Sequence, residues 1–230
     1  MVIGNGMVAK RFESYSQKDD FIIFASGVSN SKNSDLTAYQ REAALLEKLI
    51  AEYPGKTLVY FSTCSLYDPG EKGSLYYLHK LRTEAFIRRE VDRYTIFRVS
   101  NIVGRSGNPN TVLNFFYYHL LHKINFDLWN NTSRNLIDMD DMFAIADHIL
   151  QNGTYPNQVV NIANPVSNNV KEIIEALESV LQLKGNYISI PRGHHFEIDI
   201  SLILPVIETL RIPFGEDYLT NLIKKYYPQQ

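Results

Sequence analysis

The stretch SLYYLHKLRTE, residues 74–84, sets two tyrosines just ahead of a lysine. On a helix Tyr76 and Lys80 stand four apart and Tyr77 and Lys80 three apart, so either pair shares a face. A phenol held beside an ammonium can donate a proton, because the positive charge stabilises the phenolate and lowers the tyrosine pKa. The same pairing is also a common feature of ordinary helical surfaces, and spacing alone does not choose between Tyr76 and Tyr77. A second set of residues, Gly4, Asn5 and Gly6, follows the apolar run MVI. Glycines there let backbone amides approach a phosphate, and a following helix presents its positive end. Ala9 holds the place of a third glycine, small enough for a helix to pack close to a strand. The histidines point elsewhere: His194 and His195 are adjacent, His119 and His122 are three apart, and no carboxylate or cysteine completes a metal set around them. No metal is expected.

The elements that must position these residues alternate. MVI reads as a strand, GNG as a turn and MVAKRF as a helix. FIIFASG is a buried strand closing on small residues, and residues 35–53 carry apolar side chains at helical spacing behind Asp35, a candidate N-cap. KTLVYFST is the next strand, residues 76–90 the next helix, and YTIFRVSNIVG a further strand ending in a polar turn. Such alternation predicts a parallel sheet with helices on both faces, with ligands at the carboxyl ends of the strands. Those ends, GNG, ASG, STCS and VSN, are all polar or glycine-rich. Apolar residues make up 45% of the 230-residue chain and charged residues 21%, as in ordinary globular domains. A net charge of -2 gives no reason to expect nucleic acid or an anionic membrane as partner. One cysteine suits a reducing cytoplasm, and neither a signal peptide nor a membrane span is evident.

In family order, the pieces VIGNGMVA, FIIFASGVSN, FSTCSLYDP, YYLHK, FRVSNIVG and RNLIDMDDMFAIADHIL make the chain resemble the extended short-chain dehydrogenase/reductase superfamily, the branch of nucleotide-sugar epimerases, dehydratases and ketoreductases. The resemblance implies an α/β fold: a Rossmann-like doubly wound parallel sheet with a small, mostly helical C-terminal substrate lobe. Residues 1–104 and 135–165 would form the dinucleotide-binding core, and 105–134 and 166–230 the lobe. Of the two tyrosines it selects Tyr76, four before Lys80, as the proton donor. Lys80 would hold the nicotinamide ribose and depress the tyrosine pKa, and Thr63 would bind the same substrate oxygen. Gly4, Asn5, Gly6, Met7 and Val8 would line the pyrophosphate turn of NAD or NADP. Ala25, Ser26 and Gly27 would flank the middle of the cofactor, and Val99 and Ser100 its nicotinamide end. Ser65, Asn101 and Arg134 would contact a nucleoside-diphosphate sugar, with Arg134 on the diphosphate or else paired with Asp138, Asp140 or Asp141. A homodimer through helices 35–53 and 76–90, and a role in polysaccharide or glycoconjugate biosynthesis, are further implications.

Three departures refine this. Only a few residues separate the first helix from DDFIIF, where relatives fit two strands and a helix, so one or two strands are expected to be missing and no acid or arginine for the adenine ribose can be named. Cys64 and Ser65 stand where dehydratases carry Asp and Glu, which disfavours water elimination; Cys64 reads as a buried small apolar residue. The C-terminal part is short. The expected activity is therefore 4-keto reduction or 4-epimerisation by hydride transfer. The competing expectation is a catalytically inactive member that binds a sugar nucleotide or dinucleotide as a scaffold or regulatory subunit.

Overall fold

The computed structural model describes residues 1–28, 30–105 and 107–227. Its strands are β1 (Val2–Ile3), β2 (Phe21–Phe24), β3 (Thr57–Thr63), β4 (Tyr94–Val99), β5 (Asn101–Val103), β6 (Phe126–Trp129), β7 (Ser133–Arg134), β8 (Leu136–Asp138), β9 (Gln158–Ile162), β10 (Asn168–Asn169) and β11 (Tyr187–Ile190). Its helices are α1 (Met7–Arg11), α2 (Leu36–Glu52), α3 (Leu75–Glu90), α4 (Val112–Leu121), α5 (Met139–Gln151), α6 (Val170–Leu181), α7 (Leu204–Leu210) and α8 (Tyr218–Tyr226). Five parallel strands form the main sheet in the order β1-β2-β3-β4-β9.

Alternation along each strand divides two cores. Ile22, Phe24, Leu58, Tyr60 and Ile96 face α2 and α3 through Leu46, Leu49 and Ile87. Ile23, Val59, Phe97 and Val160 face the other way, onto Phe12, Tyr15, α5 and α7. Helices therefore cover both faces, as expected. Yet β1, β2 and β3 step across the sheet in one direction, while α1 and α2 lie on opposite faces. The two crossovers are then opposite in hand, so one of them breaks the right-handed rule for parallel strands. The missing segment accounts for this: α1 lies where it would lead to a strand outside β1, but the chain turns back through residues 13–20 and enters β2 instead. Among the described residues the strand order consequently has no point of reversal, and β1 is an edge.

The run YTIFRVSNIVG, read above as one strand, is two. β4 ends at Val99 in the main sheet, and β5 leaves it to pair in parallel with β8. Toward the C-terminus, Ile203, Val206 and Ile207 join the core of α1 and α5. A further core packs α4, α6, α8 and β6 around Leu120, Leu128, Ile173 and Leu222. Caps fix the helix starts that matter. Asp35 accepts the Thr37 amide, as predicted, and Ser74 accepts the Tyr77 amide to open α3. Among the described residues no helix is long and apolar enough to cross a membrane.

Candidate active site

The carboxyl end of β3 delivers Thr63. Its register places it beside Val99 of β4, which lies beside Ile162 of β9, so one row crosses the sheet at its rim. Thr63 Oγ1 accepts the Ser65 amide at 3.0 Å, which turns the chain off the strand into the short 3-10 segment Cys64–Tyr67. From there the chain reaches the Ser74 cap and α3. The first turn of α3 brings Tyr76 back over the rim, buried, with Thr63 close enough to act on its phenol. Tyr77 lies on the partly exposed side of the same turn. Burial thus separates two tyrosines that spacing could not.

Lys80 follows one turn later, and its side chain turns inward rather than toward the Tyr76 hydroxyl. Its Nζ donates to Tyr60 OH at 2.8 Å, to Glu42 Oε1 at 3.1 Å and to the Phe61 carbonyl at 3.4 Å. It lies 5.9 Å from the Tyr76 ring centre. The lowered tyrosine pKa expected from Lys80 is not what this arrangement produces. Burial pushes the Tyr76 phenol up to about 12, with the nearby Thr63 hydroxyl acting against it and the charge of Glu42 adding to it. Burial also disfavours the Lys80 ammonium, but Tyr60 and Glu42 outweigh it and hold the group charged. Burial alone would raise the Glu42 carboxyl; Lys80, His79, Tyr60 and the Val28 amide hold it at about 2 instead.

Glu42 is the site residue that sequence reasoning missed. It falls in register with Tyr39, Leu46 and Leu49 on the buried stripe of α2, and that register was the available signal.

The glycine turn lies at the same rim. Gly4 has φ +128°, and a Cβ there would stand 2.4 Å from the Ala25 carbonyl oxygen, so only glycine lets β1 end this close to β2. Ala25 and Ser26 are therefore brought against the turn, and the Ala25 amide bonds the Ile3 carbonyl at 2.8 Å. Gly6 opens α1 with free space around it, while Asn5 is exposed between the glycines. Met7 turns its sulfur toward Gly104, and Val8 packs on the core, so both contribute backbone rather than side chain to the turn. Gly27 lies directly over Lys80: a Cβ there would be 2.9 Å from Nζ.

Other predicted residues lie further along the rim. Ser100 Oγ is buried with no hydrogen-bond partner among the described residues. Asn101 donates to the Asn135 carbonyl at 2.9 Å, which ties β5 to the strand carrying Arg134. Arg134 is part-exposed and pairs with Asp68 at 3.5 Å, not with Asp138, Asp140 or Asp141. Those carboxylates are taken by Lys225, Arg11, Tyr226 and Tyr218. Cys64 is buried, donates to the Arg98 carbonyl at 3.2 Å, and is pushed up to about 12 by burial, which suits an inert packing residue. No group of three or more histidine, cysteine or acidic side chains able to hold a metal occurs among the described residues.

A dinucleotide can be tested against this rim. The unpartnered Ser100 hydroxyl and the bare glycine cradle at Gly4 and Gly6 fit the nicotinamide and pyrophosphate half. Among the described residues, no strand lies beyond β1 whose end could hold the adenine ribose.

No curated protein matches the chain. Among solved structures, RMD from Pseudomonas aeruginosa, solved with NADPH, superposes with a TM-score of 0.68 at 16% identity, over 88% of this chain and 90% of that one. UDP-glucuronic acid 4-epimerase from Bacillus cereus, solved with UDP-glucuronic acid and NAD, gives 0.70 at 17%, over 97% and 77%. UDP-N-acetylglucosamine 4-epimerase from Methanobrevibacter ruminantium M1 gives 0.68 at 18%, over 90% and 74%. At these identities the likeness is one of fold. The family model for the NAD dependent epimerase/dehydratase family matches residues 8–163, a span that begins just past the glycine turn and contains Thr63, Tyr76, Lys80, Asn101 and Arg134. The chain belongs to the NAD dependent epimerase/dehydratase family.

Proposed function

We propose that the protein is an NAD- or NADP-dependent enzyme acting on a nucleoside-diphosphate sugar, by 4-keto reduction or 4-epimerisation. The observation that carries this reading is the burial of Tyr76 beside Thr63 at the sheet rim, one helical turn from Lys80. When bound, the cofactor supplies or accepts the hydride. Tyr76 gives its proton to the sugar oxygen in reduction and takes it back in oxidation. Thr63, beside the phenol, would hydrogen-bond the same sugar oxygen and orient it. The backbone of Gly4–Val8 would hold the pyrophosphate, Gly27 and Lys80 the ribose, and Val99 with Ser100 the nicotinamide. Arg134 would exchange Asp68 for the sugar diphosphate, a planar bidentate donor suited to that group. Cys64 and Ser65, where an acid pair would be needed, speak against dehydration. Exposed Leu36, Leu75 and Leu78 on α2 and α3 support a homodimer through these helices.

The experiment is a fluorescence titration of the purified chain with NADH and with NADPH, followed by turnover assays on 4-keto nucleotide sugars. Saturable binding of either nucleotide and turnover that Tyr76→Phe abolishes are the expected results. One observation favours a second reading, a non-catalytic sugar-nucleotide subunit: all three Lys80 protons already have acceptors. Binding of a sugar nucleotide with no binding of either dinucleotide would establish that reading instead.

A further inference from the structure

Glu42 is an almost fully buried carboxylate that no motif marks. Its Oε2 accepts the Val28 amide at 2.7 Å, and its Oε1 accepts Tyr60 OH at 2.6 Å and Lys80 Nζ at 3.1 Å. His79 Nε2 stands 3.0 Å from Oε2 without the alignment of a hydrogen bond. Stability does not demand such a group, since a buried ion pair replaced by apolar side chains of like volume is often neutral or stabilising. Placement gives it a use. The pair lies directly under Gly27, whose missing Cβ would have been 2.9 Å from Lys80 Nζ and 3.3 Å from Glu42 Oε1. One carboxylate therefore fixes both the loop that flanks the cofactor and the lysine beneath that loop.

We propose that Glu42 is a positioning residue for Lys80, its counter-charge keeping a buried ammonium ionised and aligned beneath Gly27 so that a bound dinucleotide meets a cation there. The inference rests on the dinucleotide-binding reading above. Lys80 has three protons and three acceptors, of which the Phe61 carbonyl is the longest at 3.4 Å. A ligand hydroxyl would displace that contact, while Glu42 and Tyr60 keep the side chain in place. The titratable groups facing Lys80 are Glu42 from α2, Tyr60 from β3 and Tyr76 from α3, with His79 reaching it only through Glu42. The loop at Ala25–Val28 contributes none.

The test measures NADH and NADPH dissociation constants by fluorescence from about pH 6 to about pH 9, with thermal unfolding followed in parallel. Wild type should bind with nearly constant affinity. Glu42→Gln keeps the shape but leaves the buried ammonium without a counter-ion, which lowers its proton affinity into this range. Its binding should match wild type at the acid end and weaken at least ~10-fold toward the alkaline end as the ammonium deprotonates. A folded Glu42→Gln chain with a pH-independent affinity overturns the proposal. If Glu42→Gln does not fold, the double variant Glu42→Gln/Lys80→Met, with no buried charge left, decides. It should bind at least ~10-fold more weakly than wild type at every pH, and unchanged affinity overturns the proposal. Failure of the wild-type chain to bind either nucleotide overturns the dinucleotide reading itself and this inference with it, and it is seen before any substitution is made.

Discussion

Tyr76 and Thr63 are both buried and lie beside each other at the sheet rim, where the Thr63 hydroxyl acts to lower the phenol's pKa. If Tyr76 is the proton donor, Tyr76→Phe removes the donor without removing the packing. Turnover of a verified sugar substrate should fall about 10²–10⁴-fold. The fold should lose no more than about 1 kcal/mol, since the ring and its packing stay. Steady-state kinetics beside urea denaturation separates the two effects; a kcat within threefold of wild type would remove Tyr76 from the mechanism.

The pH dependence follows from burial. With the phenol pushed up to about 12, Tyr76 stays protonated throughout the physiological range. Reduction, which consumes the proton, should show no alkaline fall from Tyr76 until the pH nears that value. Oxidation, which needs the phenolate, should instead rise about tenfold per pH unit over the same range. Opposite slopes in the two directions are the signature to look for.

Cofactor selectivity should be weak. The acid or arginine that distinguishes NAD from NADP stands at a strand end outside β1 in a full Rossmann sheet, and here β1 is the edge. Lys10 on α1 is exposed, and Arg11 is held by Asp140 and stacked on Phe143. Dissociation constants for NADH and NADPH should therefore agree within about tenfold, or roughly 1.4 kcal/mol. A preference of a hundredfold or more would reveal a discriminating contact outside the sheet.

Gly4→Ala should damage the fold and the turn together. The added Cβ would meet the Ala25 carbonyl oxygen at 2.4 Å, in a backbone conformation of φ +128°. A loss of about 1–3 kcal/mol in urea denaturation is expected. Gly6→Ala meets nothing within 4 Å and should leave stability nearly unchanged.

Arg98 and Glu84 form a two-point ion pair at 2.9 and 2.7 Å, and Ser62 donates to the same carboxylate. Arg98→Leu leaves that buried charge with only the half-exposed Arg88, at 3.3 Å, as counter-ion and should cost about 3 kcal/mol. Changing Glu84→Met in the same chain should recover most of the loss. Simple additivity of the two changes would mean that they are not coupled.

The sheet and most helices were legible because each strand is a short apolar run that stops at a polar end, and because Asp35 announces α2. Choosing Tyr76 over Tyr77 took the resemblance, with burial then distinguishing them physically. The division of YTIFRVSNIVG into β4 and β5 was hidden, since apolar residues continue on both sides of Ser100 and only long-range pairing with β8 separates them. The partner of Arg134 was hidden for the same reason: Asp68 lies far away in the chain and meets it only through the fold. Glu42 was legible in principle, as a charge in step with Tyr39, Leu46 and Leu49, but a glutamate on an amphipathic helix is ordinarily solvated.

The edge position of β1 also bears on dynamics. This strand has two residues and one neighbour, so little cooperative structure must open to release it. Amide hydrogens around Gly4 should exchange through such local openings, well before those of β3 and β4 at the middle of the sheet. Any ligand seated on the glycine turn must first hold that strand in place, so part of its affinity is spent on ordering. Slower exchange at Ile3–Gly6 on ligand addition would report how much.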